Sequence, residues 1–176
     1  MYIFNMASII EYKGLKPKIG NRVYLAEGSV LVGDVEIGDD SSVFYNAVLR
    51  ADLAEIRIGQ RSNIQDNVTV HLSTNAGVHV GDEVIVGHNA VLHACTIEDH
   101  VLIGMGAIVM DGAHIKSNSI VGAGAIVTQG KEFPEGSLIV GSPAHIVREL
   151  TAEEIRKAHE NALHYLDIKE ELLKNG

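Results

Sequence analysis

The sequence predicts a mostly β solenoid of about six coils, closed by one C-terminal α-helix. Three observations carry that reading. The first is a six-residue aliphatic period that runs through most of the chain. The second is composition: 46% hydrophobic residues, but only 5% aromatics, no tryptophan and 18 glycines in 176 residues. Rings normally fill irregular interior space, so a core of this make-up is narrow and uniform. The third is a helical stripe confined to residues 151–174.

The period begins at Ile19, Leu25, Leu31, Ile37, Val43 and Leu49, and resumes at Ile58, Ile64 and Val70, then at Val80, Val86 and Leu92. After one five-residue step it continues through Ile97, Ile103, Val109, Ile115, Val121 and Val127. Four positions after most of these anchors stands a small or β-branched residue, such as Ser29, Ala47, Ala90 or Ala125, and glycine often follows the anchor directly. A period of six fits neither an α-helix nor an alternating strand. It fits short straight faces separated by tight corners, with the anchor pointing inward. Three hexapeptides close one triangular coil, and successive coils stack as parallel strands ~4.8 Å apart. A β-sandwich would instead show turn signals every ~8–12 residues.

The period breaks twice. Three extra residues lie between Leu49 and Ile58, around Ala51-Asp52-Leu53-Ala54, and four between Val70 and Val80, within Leu72 to His79. Insertions in a solenoid bulge from its surface, commonly on the binding side. Past Val127 the pattern fades, through Phe133-Pro134-Glu135-Gly136 and Gly141-Ser142-Pro143-Ala144. Thr151 and Glu154 then form a capping box, and Ile155, Ala158, Ala162, Tyr165 and Leu166 form an apolar stripe that packs back along the solenoid. The expected organisation is a single domain over 1–176, with coils over 19–140 and a helix over 151–174. Met1 and Met6 are alternative starts.

Composition also bounds function. Fourteen basic against 23 acidic residues give a net charge of −9, which argues against nucleic acid or an anionic membrane as main partner. No run of 18 apolar residues and no basic-flanked cleavable segment is present, so no membrane span or secretion signal is expected. The single cysteine, Cys95, excludes an internal disulfide framework and suits a reducing, cytoplasmic setting.

Of nine histidines, three fall into the repeat. His71 follows anchor Val70 and His93 follows anchor Leu92, three anchors later, so the two share one column on one face, about one strand spacing (~4.8 Å) apart. Two imidazoles so placed either share a metal or form a stacked pair on a solvated face. His88 lies two residues after Val86, across a corner, and is poorly placed for the same metal within one chain. If three prisms pack around an axis, His88 of one subunit can complete a site begun by its neighbour. His79, His100, His114, His145, His159 and His164 share no such column and read as surface or capping residues. Arg50 lies one coil below His71, Asp66 one coil below His88, and Asp52 stands in the first bulge. A guanidinium between two carboxylates can lock a subunit junction.

At Val48-Leu49-Arg50-Ala51-Asp52, Ser62-Asn63-Ile64-Gln65-Asp66-Asn67, Val70-His71 and Gly87-His88-Asn89-Ala90-Val91-Leu92-His93 the sequence resembles the γ-class carbonic anhydrases and their close relatives. The resemblance spans nearly the whole chain and implies a left-handed parallel β-helix and a homotrimer. It implies that His71 and His93 hold zinc, iron(II) or cobalt(II) together with His88 of the adjacent chain. Gln65 would orient the metal-bound water, Asn63 would support that network, and Tyr165 would correspond to a tyrosine near the site. Arg50, Asp52 and Asp66 would form an intersubunit salt-bridge cluster. The implied reaction is reversible hydration of carbon dioxide to bicarbonate by hydroxide generated on the metal near pH ~7. The chain departs from the founding pattern where that type carries glutamates. Leu53 follows the bulge aspartate, and Leu72 to Val78 hold no carboxylate, leaving His79 or buffer as the expected proton relay. Two other classes share the coil. A hexapeptide acyltransferase or CoA-thioester enzyme would use one histidine as base, and a non-catalytic metal-binding scaffold would keep the site without turnover.

Overall fold

The anchors of the six-residue period are the core. In the computed structural model, which describes residues 7–175, Leu31, Val43, Leu49, Ile64, Val70, Val86, Leu92, Ile103, Val109, Ile115, Val121 and Val127 are all sealed from solvent. The choice between Met1 and Met6 lies outside the described residues. The anchors stack in three columns, one per face of a triangular prism. One column runs Leu31, Leu49, Val70, Leu92, Val109, Val127. The second runs Ile19, Ile37, Ile58, Val80, Ile97, Ile115, Phe133. The third runs Leu25, Val43, Ile64, Val86, Ile103, Val121, Ile139. All these pairings are parallel, and the coils wind as a left-handed β-helix of about seven turns.

That is one turn more than the sequence predicts. Phe133 and Ile139 hold the six-residue step beyond Val127 and pair in register with Ile115 and Val121. An aromatic anchor flanked by Pro134 and Gly136 hides the continuation. The solenoid then ends in an antiparallel hairpin, Ser137–Gly141 with Ala144–Glu149, which reverses the chain toward the helix.

Both insertions sit where expected, in different forms. The first does not interrupt its strand. Val48–Ile58 is continuous over 11 residues and pairs with Val30–Ile37, the register shifting between Gly33 and Val35 so that residues 52–55 bulge from the ladder. Gly33 sits at φ +76°, and a Cβ there would lie 2.1 Å from the Ala51 carbonyl oxygen, so only glycine permits the approach. The second insertion is a tight loop closed by Ser73 and Ala76.

Corners are turned mostly by side chain-bearing residues with positive φ. Along one edge these stack as Arg22, Asp40, Arg61, Glu83, His100 and Asn118, each amide bonded to the coil below from Asp40 onward. This edge is a ladder of alternating charge: Arg22 meets Asp40 at 3.0 Å and Arg61 meets Glu83 at 2.9 Å.

The helix, α1 (Ala152–Asn175), docks on that ladder. Its capping box forms as expected: Thr151 N donates to Glu154 Oε2 at 2.9 Å and Glu154 N to Thr151 Oγ1 at 3.3 Å. Arg148 also binds both oxygens of Glu154, at 2.8 and 2.7 Å. That guanidinium, helped by Thr151, holds the Glu154 carboxyl down at about 2. The stripe through Ile155, Ala158, Ala162, Tyr165 and Leu166 faces the solenoid, with Ala162 buried and Tyr165 edge-on to Phe44 at 6.1 Å. The stripe also contains Lys169, only 1% exposed, which the apolar pattern conceals. Its ammonium donates to Asp40 Oδ1 at 2.9 Å and to the Arg22 carbonyl at 3.2 Å, and pairs with Glu170 at 2.7 Å. Losing charged hydrogen bonds whose acceptors remain partly solvated costs about 1–3 kcal/mol. Lys169→Ala therefore lowers stability to urea by about that amount and speeds proteolysis within α1, while Lys169→Met, which keeps the apolar stem, loses less.

Candidate metal centre

His71 and His93 end strands Thr69–His71 and Val91–His93, which pair in parallel with the two histidines in direct register. Their rings lie 5.2 Å apart, one strand spacing, as the column predicts. His71 Nδ1 and His93 Nε2 face each other at 3.2 Å. The outward nitrogens are both occupied by carboxylates. His71 Nε2 meets Asp52 Oδ1 at 3.1 Å, and His93 Nδ1 meets Asp111 Oδ1 at 2.6 Å.

Those contacts orient a neutral ring. An ionised carboxylate only accepts, so each imidazole turns its N–H outward and its lone pair inward. Two neutral rings so oriented face their lone pairs across 3.2 Å, where a proton or a metal ion can be shared. Two bonds of ~2.0–2.1 Å meeting at a tetrahedral angle place their nitrogens ~3.3 Å apart. The donor pair therefore fits a zinc-like ion, with a carboxylate behind each ligand, as metal-binding imidazoles commonly have. Burial pushes the Asp52 carboxyl up, but hydrogen bonds from His71 and Arg50 outweigh it and hold the group below its usual range. Arg50 is the direct ion-pair partner of Asp52.

His88 also has a carboxylate beside it. Its Nδ1 meets Asp66 Oδ2 at 2.8 Å, one coil below, leaving Nε2 free. Within one chain His88 does not join His71 and His93; among the described residues, the group with three potential ligand atoms within 4.8 Å is a different one, at Glu83. Asp66 thus contacts His88 in the single chain, and Arg50 contacts Asp52, without Asp66 joining them. Gln65 is buried, and its Oε1 accepts the His88 amide at 3.2 Å. Gln65, His88 and Tyr165 line one cavity of about 350 Å³ between the third face and α1. Asn63 is buried two residues before Gln65, its Nδ2 donating to Ser42 Oγ at 2.7 Å and its Oδ1 unpartnered.

Three comparisons bear on this geometry. Residues 94–129 match the family described as bacterial transferase hexapeptide (six repeats), and residues 55–94 the hexapeptide repeat of succinyl-transferase. The chain is 54% identical to a protein of Methanocaldococcus jannaschii named "Probable carbonic anhydrase", over 88% of this chain and 97% of that one. The chain belongs to the γ-class carbonic anhydrase-like family of hexapeptide-repeat proteins. A carbonic anhydrase of Geobacillus kaustophilus is 44% identical, over 90% of this chain and 87% of its own. Among solved structures, a candidate acetyltransferase of Bacillus cereus superposes with a TM-score of 0.95 at 39% identity, covering 97% of this chain and 99% of its own.

Leu53 is 51% exposed on the first bulge. His79 is held by Glu55 of that bulge, Nε2 to Oε1 at 3.1 Å, so a carboxylate reaches His79 from the neighbouring coil although its own loop has none. Cys95 is buried, and burial pushes its thiol up to about 12, which removes it as a nucleophile.

Asp111 is the residue that sequence reasoning misses. The signal was present, because each carboxylate lies about one coil from its histidine: Asp52 and His71, Asp66 and His88, His93 and Asp111. Removing a carboxylate behind a metal ligand typically costs ~10–100-fold in affinity. Asp111→Ala accordingly weakens zinc binding by that factor with secondary structure unchanged, measured by competition against a chromophoric chelator.

Proposed function

We propose that this protein is a γ-type carbonic anhydrase that acts as a homotrimer in the cytoplasm. His71 and His93 of one chain and His88 of the next would hold one zinc, iron(II) or cobalt(II) ion at each interface. Carbon dioxide and bicarbonate are the substrate pair. The observation that carries this reading is the His71–His93 pair, with facing nitrogens at 3.2 Å and a carboxylate behind each ring. When bound, the ion supplies the Lewis acidity that makes hydroxide available near neutral pH for attack on carbon dioxide.

The chain's own residues do the rest. Asp52 and Asp111 hold His71 and His93 in their ligating tautomers, and Asp66 stands beside His88. Gln65, anchored through the His88 amide, directs its side-chain amide into the cavity and orients the attacking oxygen. Asn63 supports that network from beneath, and Tyr165 closes the cavity on the helix side. Arg50, already paired with Asp52, reaches Asp66 of the adjacent chain and joins the subunits beside the site. His79, backed by Glu55, carries the proton toward solvent.

Acyl transfer is the second reading, favoured by the name given to the Bacillus cereus structure. It requires one histidine as base and leaves three carboxylate-backed histidines without a common purpose. Loss of a ligand separates the two. His93→Ala abolishes metal binding and hydration together, whereas Gln65→Ala keeps the metal and slows hydration by ~10–100-fold, read by metal analysis beside stopped-flow hydration. Chelator-resistant acyl transfer by a protein that shows no hydration with any metal would overturn the proposal.

The trimer has its own test. Arg50→Ala leaves Asp52 and Asp66 of adjacent chains facing each other with only their own histidines beside them, and should weaken the trimer more than loss of an exposed pair does. Arg156→Ala removes only exposed, solvent-screened pairs with Glu153 and Glu160, which contribute little. Sedimentation of the two variants should show dissociation for Arg50→Ala alone, and equal behaviour would reject the junction.

A further inference from the structure

A second cluster of ligating side chains lies away from the His71–His93 pair, where α1 crosses the charged edge. Glu83 and His100 are corner residues of successive coils, linked by the His100 amide to the Asp82 carbonyl at 2.9 Å. His159 comes from α1. Glu83 Oε2 has His159 Nδ1 at 2.8 Å and His100 Nδ1 at 3.3 Å, and the two rings stand edge to face at 5.4 Å. One ligand atom from each of the three residues lies within 4.8 Å of the others.

Proximity here is not hydrogen bonding. Glu83 Oε2 and His100 Nδ1 are both shielded from solvent, and neither has a hydrogen-bond partner in acceptable geometry. Buried polar groups without partners are uncommon because desolvation is then uncompensated. Two in one cluster, both ligand atoms, mark a missing partner. Arg61 explains why Oε2 is the free atom: its Nε donates to Oε1 at 2.9 Å and turns the other oxygen toward the rings.

We propose that Glu83, His100 and His159 form a second metal site, for a borderline divalent ion such as zinc, which clasps α1 to the solenoid. Two imidazoles and one carboxylate are a donor set that zinc takes readily and that calcium and magnesium, which prefer oxygen ligands, do not. Both imidazoles are more than a third exposed, so solvent can complete the coordination. The ion joins two corners and the helix. Its role is structural, and it is independent of the function proposed above.

The test counts zinc in full-length protein dialysed against micromolar Zn2+. His93→Ala disables the first site, and this variant retains one zinc per chain. Adding His159→Ala, or Glu83→Gln, removes it. In the His93→Ala protein, zinc slows proteolytic cleavage within α1 at least several-fold, and that protection disappears with His159→Ala. His159 is partly exposed on the helix, and circular dichroism verifies that its replacement leaves the fold intact. A His93→Ala protein that binds no zinc overturns the proposal, as does one whose zinc survives both the His159 and Glu83 changes. Failure of the first site is recognised separately, because wild type and His93→Ala then carry equal zinc while the effect of His159→Ala persists.

Discussion

Parallel stacking of successive coils is the constraint on which everything else in this protein depends. Each coil must present its amides and carbonyls at the same height as its neighbours, ~4.8 Å away. That demand admits only side chains of similar bulk inside, which is why one aliphatic residue recurs every six positions and aromatics are scarce. It also converts sequence distance into spatial distance along straight columns. Residues one coil apart become touching neighbours on the outer faces, whatever their separation in the chain.

The chemistry grows from those columns. Stacking alone brings His71 and His93 to adjacent rungs, and carboxylates on flanking rungs meet the outward nitrogen of each ring. The result is a pair of ring nitrogens held face to face by backbone register. A site built this way is preorganised by the ladder itself. Asp52 shows how the first insertion matters: the bulge at 52–55 moves a carboxylate off the regular ladder and onto His71, where a regular coil would have placed a different residue.

Most of the solenoid was legible because its period is strict, and what escaped did so for local reasons. The seventh turn was hidden by an aromatic anchor beside Pro134 and Gly136, a stretch that reads as a loop although the six-residue step continues. The His71–His93 column could be read from anchor counting, and so could Asp66 beneath His88. Asp111 could have been read in the same way, but one coil beyond a histidine it looks like any exposed aspartate. Lys169 was invisible because a buried charge follows no apolar pattern; its place is set by Asp40, 129 residues away. His159 was likewise unreadable beside His100. Column arithmetic stops where the helix begins, and only docking decides which helical side chain meets which corner.

The placement of α1 on the charged edge has a consequence for how the molecule holds information about its own length. Each contact of the helix addresses a particular rung: Glu170 and Lys169 find Arg22 and Asp40, and His159 finds Glu83. A rung is ~4.8 Å and a helical residue rises ~1.5 Å, so roughly three helical residues span one rung. The ten steps from His159 to Lys169 rise ~15 Å against ~10 Å for the two rungs from Glu83 to Asp40, a difference for helix tilt and side-chain reach to take up. The helix acts as a vernier scale laid against the coils. Duplicating or deleting one coil within that interval would leave every coil well formed, yet throw the two ends of the helix out of step with the corners they recognise. Such an edge restricts the ordinary freedom of a repeat protein to grow or shrink by whole units, and confines it to the turns outside the helix's reach.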